Sequence, residues 1–228
     1  MNILEVGAGP GFVTGQLLNH LPNSKITALD IDESLLETAK RRLGDVPGAR
    51  LQFTQASVYE TGLPDNTYDF VVARLIFLHL HHPLQAAAEI RRVLKPGGKL
   101  VIIDIDDGMF GALYPDLDIL PSILNKLARQ QAACGGNRYI GRSLPRLFSD
   151  SGFTEVDMEA VIQHSDLHGL EGFKRQLDIN RFTAFYKQGI ITQAEYDALN
   201  TAYEHFNASP DAHAMMLFFM ACGTKPAS

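Results

Sequence analysis

Apolar residues recur along this chain with two different periods. Short, nearly continuous apolar runs fall at 2–6, 25–29, 51–54, 69–73 and 99–105, and each reads as a buried strand. Between them, apolar positions return every third or fourth residue. Val13, Leu17, Leu18 and Leu21 mark one helix face, and Leu35, Leu36, Ala39 and Leu43 a second. A third helix follows Pro83, with Ala87, Ile90 and Leu94 turned inward. Local signals set the ends: Asp32 suits an N-cap, Gly44 a stop, and Pro96-Gly97-Gly98 a break before the fifth strand. A helix carrying Leu144, Leu147 and Phe148 stops at Gly152, and further strands follow at 154–161 and 215–221. Strands alternating with helices predict an α/β fold, a doubly wound, mostly parallel seven-stranded sheet.

Two stretches fall outside the alternation, about 108–142 and 167–211. The second reads as helical. Thr192-Gln193-Ala194-Glu195 has the form of a capping box, and Tyr196, Leu199, Tyr203 and Phe206 follow at helical spacing. The expectation is one domain, 1–228, with these stretches as helical insertions. They serve either as packing or as a lid over a substrate at the carboxyl ends of the strands.

Composition narrows the partners. Across 228 residues the net charge is −6, which argues against a nucleic-acid partner. No apolar run approaches the roughly 20 residues of a membrane helix, and no basic leader precedes the first strand, so a cytoplasmic protein without a membrane partner is expected. Cys134 and Cys222 are too few for a disulfide framework and read as reduced, buried thiols.

The candidate chemistry sits at the start. The run Glu5-Val6-Gly7-Ala8-Gly9-Pro10-Gly11 joins strand to helix through three glycines, where the backbone can bend sharply and approach a ligand closely. Its amides and the helix N-terminus suit a carboxylate or a polar tail. The second strand ends in Ala28-Leu29-Asp30-Ile31-Asp32, and Leu94-Lys95-Pro96-Gly97-Gly98 leads into the fifth. Together these stretches resemble the class I S-adenosylmethionine-dependent methyltransferases, with a core like the ubiquinone/menaquinone methyltransferases.

The resemblance implies a Rossmann-like fold, S-adenosyl-L-methionine as cofactor and methyl transfer to a small-molecule acceptor. It assigns the loop to the methionine part of the cofactor, with Glu5 ordering loop and waters, and Asp30 to the ribose hydroxyls, beside Ile31. An adenine-binding Asp of the family is replaced by Ser57, whose hydroxyl accepts one hydrogen bond, with the Val58 amide near the ring. Arg74, closing the fourth strand, pairs with the methionine carboxylate or with a substrate. The family also carries helices before the first strand that help cover the cofactor. Here that strand begins within two residues of Met1, so a less enclosed site is expected.

A sulfonium methyl is already activated, so alignment supplies much of the catalysis. A hydroxyl or acidic carbon acceptor would need a base, and His79, just past the fourth strand, is the candidate. His81 and His82 read as loop surface. Asp104, Asp106 and Asp107 read as a solvated turn or a substrate contact and not as a metal site, because Ala73 and Arg74 stand opposite. Phe110, Tyr114 and Tyr139 are candidate walls of an acceptor pocket. Two alternatives stay open: a cofactor-binding but inactive partner subunit, and a NAD-dependent oxidoreductase. The latter's fingerprint needs glycine where Phe12 stands.

Overall fold

A computed structural model describes residues 1–44, 46, 49–173 and 177–227. The first half alternates as the pattern requires: β1 (Asn2–Val6), α1 (Phe12–His20), β2 (Lys25–Asp30), α2 (Glu33–Leu43), β3 (Leu51–Gln55), β4 (Tyr68–Arg74), α3 (Pro83–Val93) and β5 (Leu94–Asp104). The second half adds β6 (Gly111–Tyr114), α4 (Leu120–Ala133), α5 (Leu144–Asp150), β7 (Thr154–His164), α6 (Ser165–His168), α7 (Asn180–Lys187), α8 (Gln193–Ala208) and β8 (His213–Thr224).

The strands form one eight-stranded sheet in the order β3-β2-β1-β4-β5-β8-β6, with β7 also paired to β8. β1 to β5 are mutually parallel, and β8 runs antiparallel to β5. The short β6 is the strand that the apolar pattern did not mark. Its four residues continue the sheet past the end of β5, pairing with β8 from Gly111↔Met216 to Tyr114↔His213. Four residues with one buried side chain are too short to show a period.

Two boundaries move. α3 ends at Val93, three residues before Pro96, and Leu94 already starts β5. Proline disfavours helical backbone in the residue before it, so the chain leaves the helix early. On α2, Leu36 and Ala39 are buried as expected, whereas Leu35 is exposed. The caps behave as read: Asp32 accepts from Ser34 N and Leu35 N, and Thr192 and Glu195 close a full capping box. Neither cysteine is fully buried. Cys134 is exposed just after α4, and Cys222 is half-buried in β8.

The sheet is packed on both faces. Leu4, Val71, Ile90, Leu100 and Phe148 belong to the larger core, and Ile3, Leu18 and Ile26 to a smaller one under α1. The insertions carry a third core of their own. Leu113 of β6, Leu124 of α4, Phe182 of α7 and Leu199 and Phe206 of α8 pack together over the start of β8. Lys126 on α4 adds a 2.6 Å ion pair to Glu195 on α8. Both stretches outside the alternation therefore form one body, sheet strand included. Residues 174–176, inside the second of them, lie outside the described residues.

Candidate active site

β1 hydrogen-bonds to β2 on one side and β4 on the other, so the strand order reverses about it. Ligands of open α/β sheets collect at such a point, at the carboxyl ends of the strands. The glycine loop leaves β1 there. Gly7, Gly9 and Gly11 have φ of 72°, 51° and 77°, which favours glycine at each. They do different things. A Cβ on Gly7 would stand 2.9 Å from the Ile76 side chain, and one on Gly11 2.9 Å from Ala39 of α2. Nothing lies within 4 Å of the corresponding point on Gly9, which opens onto the cleft.

The loop amides are already engaged. Gly7 N and Ala8 N donate to Leu29 O, Gly11 N to Ala8 O, and Gly9 N to Asp30 Oδ2 at 2.7 Å. The expectation that they await a ligand carboxylate is corrected: those of Gly7, Ala8 and Gly9 hold the loop against β2, and that of Gly11 closes the loop on itself. Asp30 Oδ1 accepts from Asp32 N at 3.0 Å. Each Asp30 oxygen thus uses one lone pair on the fold and keeps one, a geometry suited to two ribose hydroxyls.

Asp30 lies on a cleft of about 610 Å³, with Gly7, Gly9, Ile31, Ser57 and Val58 also on its wall. Ile31 is 70% exposed, a large apolar side chain left uncovered at a site. Ser57 Oγ accepts from Tyr59 N at 3.2 Å, and Tyr59 Oη accepts from His81 N and His82 N. His81 and His82 are exposed in the loop, as read, and also border the cleft. Tyr59, Leu35, Leu75 and Ile76 also line it and were not anticipated, because no motif marks them.

Four candidates lie off this wall. Ala8 and Gly11 support the loop from behind. Glu5 is buried, and its Oε2 accepts from Thr14 Oγ1 at 2.5 Å. Burial lifts its carboxyl to about 7, with Asp30 adding to the rise and the Thr14 bond opposing it. Arg74 borders a second cavity of about 330 Å³. Its guanidinium lies over the rings of Phe12 and Phe218, 5.9 and 5.7 Å from their centres. Partial burial draws its pKa down, against the pull of Asp104 and Glu5.

Leu75 and His79 border both cavities and so mark where they meet. Leu75 has a left-handed φ of 56°, which turns the chain sharply off β4 into the 3₁₀ turn Phe77–His79. Asp104 anchors that turn by accepting from Leu78 N at 3.1 Å. Gln131 Nε2 donates to Leu78 O and bonds His79 Nδ1, both at 2.8 Å. Partial burial and the charge of Arg138 hold the His79 pKa below its ordinary value.

The acids at the end of β5 are not a solvated turn. Asp104 and Asp106 are buried, and burial raises Asp104 to about 6. Asp106 pairs with Arg142 and Asp107 with Arg138. Among the described residues no three His, Cys, Asp or Glu side chains gather as metal ligands. Of the expected aromatic walls, Phe110 lines the second cavity. Tyr114 is 62% exposed, and Tyr139 is not on that wall but donates to Asn125. Met216 and Phe218 of β8 stand in their place.

With this geometry in place, comparison with known proteins gives the class. A family model described as a methyltransferase domain matches residues 4–102, which run from the glycine loop through β5. The chain is 32% identical over 232 residues to an uncharacterized 37.1 kDa protein in transposon TN4556 of Streptomyces fradiae, covering 98% of this chain and 62% of that protein. It is 35% identical over 114 residues to a malonyl-acyl-carrier-protein O-methyltransferase of a Paenibacillus species, covering 49% and 41%. It therefore spans only part of these curated relatives. Phosphoethanolamine N-methyltransferase 2 of Haemonchus contortus, solved with S-adenosyl-L-methionine, superposes with a TM-score of 0.63 at 19% identity, covering 99% of this chain and 49% of that one. Residues 4–102 match a methyltransferase domain, and the similarities together support a class I S-adenosylmethionine-dependent methyltransferase. Among the described residues no helix is long and apolar enough to cross a membrane.

Proposed function

We propose that this chain binds S-adenosyl-L-methionine in the 610 Å³ cleft and transfers its methyl group to a small molecule seated in the 330 Å³ cavity. The observation that carries this is Asp30, which lines the cleft with one lone pair of each oxygen fixed by the fold and one unused. Asp30 holds the ribose. Gly9 lets the ligand lie against bare backbone, and Ile31, Val58 and Tyr59 flank the adenine, with Ser57 at its edge. Glu5 acts from behind, ordering the loop through Thr14. When bound, the cofactor supplies an activated methyl group on a sulfonium.

The protein's share is placement. Leu75 and His79, common to both cavities, stand where the two ligands meet, and His79 is the polar side chain we set beside the transferred methyl. The insertion body supplies Met216 and Phe218 to the acceptor wall and so serves as a lid that excludes water. Calorimetric titration with S-adenosylhomocysteine tests the reading. Wild type binds, and Asp30→Ala loses about 10- to 100-fold in affinity or more, the lower end being the range for one charge-assisted hydrogen bond. Unchanged affinity in that variant would overturn the assignment.

A further inference from the structure

We propose that the second cavity recognises an organic anion, an acceptor with an apolar body and an ionised carboxylate or phosphate. The proposal deepens the methyl-transfer reading and rests on it for the place of the donor.

The cavity wall departs from the charge of the whole chain. The chain carries a net −6, yet the described lining of this cavity includes Arg74, Arg138 and Arg181 and no acidic side chain. The remainder is apolar, chiefly Leu78, Ile105, Phe110, Met216 and Phe218. Cationic groups on low-dielectric walls concentrate anions.

The arginines are not equivalent. Arg138 is held by both oxygens of Asp107. Arg74 has aromatic rings near its guanidinium and, among the described residues, no hydrogen bond or ion pair. The nearby acids, Glu5 and Asp104, are buried and committed to Thr14 and to the backbone of Leu78 and Ile105. A half-buried guanidinium with unused N–H groups is a costly arrangement unless an anion completes it.

His79 points to the same acceptor. Leu78 O can only accept, so the Gln131 amide must turn its nitrogen toward it, and Gln131 Oε1 takes the Arg138 N–H side. That orientation makes Gln131 the donor to His79 Nδ1 and leaves the imidazole proton on Nε2. Held this way, His79 donates a hydrogen bond and has no lone pair with which to remove a proton. The base role expected from its position is thereby replaced by an anion contact. An acceptor already ionised at neutral pH requires no base.

The test uses the whole chain saturated with S-adenosylhomocysteine, titrated with three matched probes: octanoate, octyl phosphate and octanamide. Tighter binding of at least one anion than of the amide by about tenfold or more, the equivalent of one charge-assisted hydrogen bond, is expected. Which anion prevails tells carboxylate from phosphate. Arg74→Met and Arg181→Met should each reduce that preference about fivefold or more, with affinity for S-adenosylhomocysteine within about twofold of wild type. Equal binding of all three probes by wild type overturns the proposal without recourse to any variant. So does an Arg74→Met variant that loses S-adenosylhomocysteine affinity but keeps the anion preference, since Arg74 would then serve the donor. Failure of wild type to bind S-adenosylhomocysteine at all would instead count against the methyl-transfer reading itself.

Discussion

At the scale of single residues, burial governs the site more than sequence spacing does. Glu5 was legible as a loop acid, but not that burial would lift its carboxyl from 4.5 to about 7. A raised carboxyl favours the protonated folded state, so its share of stability is full below pH 4.5 and lost as pH rises through 7. Glu5→Gln should therefore match wild type near pH 4 and exceed it by about 3 kcal/mol at pH 8. Denaturant unfolding of both proteins at the two pH values checks this, and the difference between them isolates Glu5 from Asp104, which is raised for the same reason. A gap that does not change with pH would contradict it. His79 offers a second check. A general base lost to substitution costs about 10²- to 10⁴-fold in rate. As a donor fixed by Gln131, His79 should tolerate His79→Gln, which keeps an N–H, within about tenfold of wild-type kcat, a smaller loss than that of a missing base. Position and residue type suggested His79. Its tautomer depends on Gln131, more than fifty residues away, which no local pattern could join to it.

At the scale of elements, the glycine loop separates two roles that look alike in sequence. Gly11 lets α1 lie against Ala39 and Leu43 of α2, whereas Gly9 leaves an opening onto the cleft. Gly11→Ala should cost about 2–3 kcal/mol of stability through steric crowding plus an unfavourable φ. Gly9→Ala should cost about 1 kcal/mol, from φ alone, while weakening S-adenosylhomocysteine binding. Thermal unfolding and calorimetry on the pair would show whether the two losses part in this way. Parallel strands buried on both faces give continuous apolar runs, so β1, β2, β4 and the core of β5 could be read directly. β6 could not, because its place is set by pairing with β8 and not by a pattern of its own. The α8 capping box could be read because its four residues are contiguous, and it closes as the spacing requires. Its ion pair with Lys126 could not, because α4 is far away in sequence.

At the scale of the whole molecule, the parallel part of the sheet carries the cleft proposed for the donor, and a separately packed insertion body supplies part of the wall proposed for the acceptor. The two meet at the turn that holds Leu75 and His79. Thr192→Ala removes a cap worth about 1 kcal/mol and should act on the insertion body first. Hydrogen exchange should quicken in α4, α7 and α8 while β1, β2 and β4 stay protected, and uniform loss of protection would deny the insertion body its independence. The half proposed for the donor was the more legible because its lining comes mostly from loops directly after strands. The half proposed for the acceptor was not, since Arg138, Arg181 and the pair Met216 and Phe218 arrive from three separate segments. The central claim is that this cleft grips an S-adenosyl nucleoside through Asp30. A crystal structure of the chain with S-adenosylhomocysteine tests it most directly. The ribose hydroxyls should lie within hydrogen-bonding distance of Asp30 Oδ1 and Oδ2, with the sulfur toward Leu75 and His79; a nucleoside bound away from Asp30, or none in the cleft beside Gly9, would contradict it.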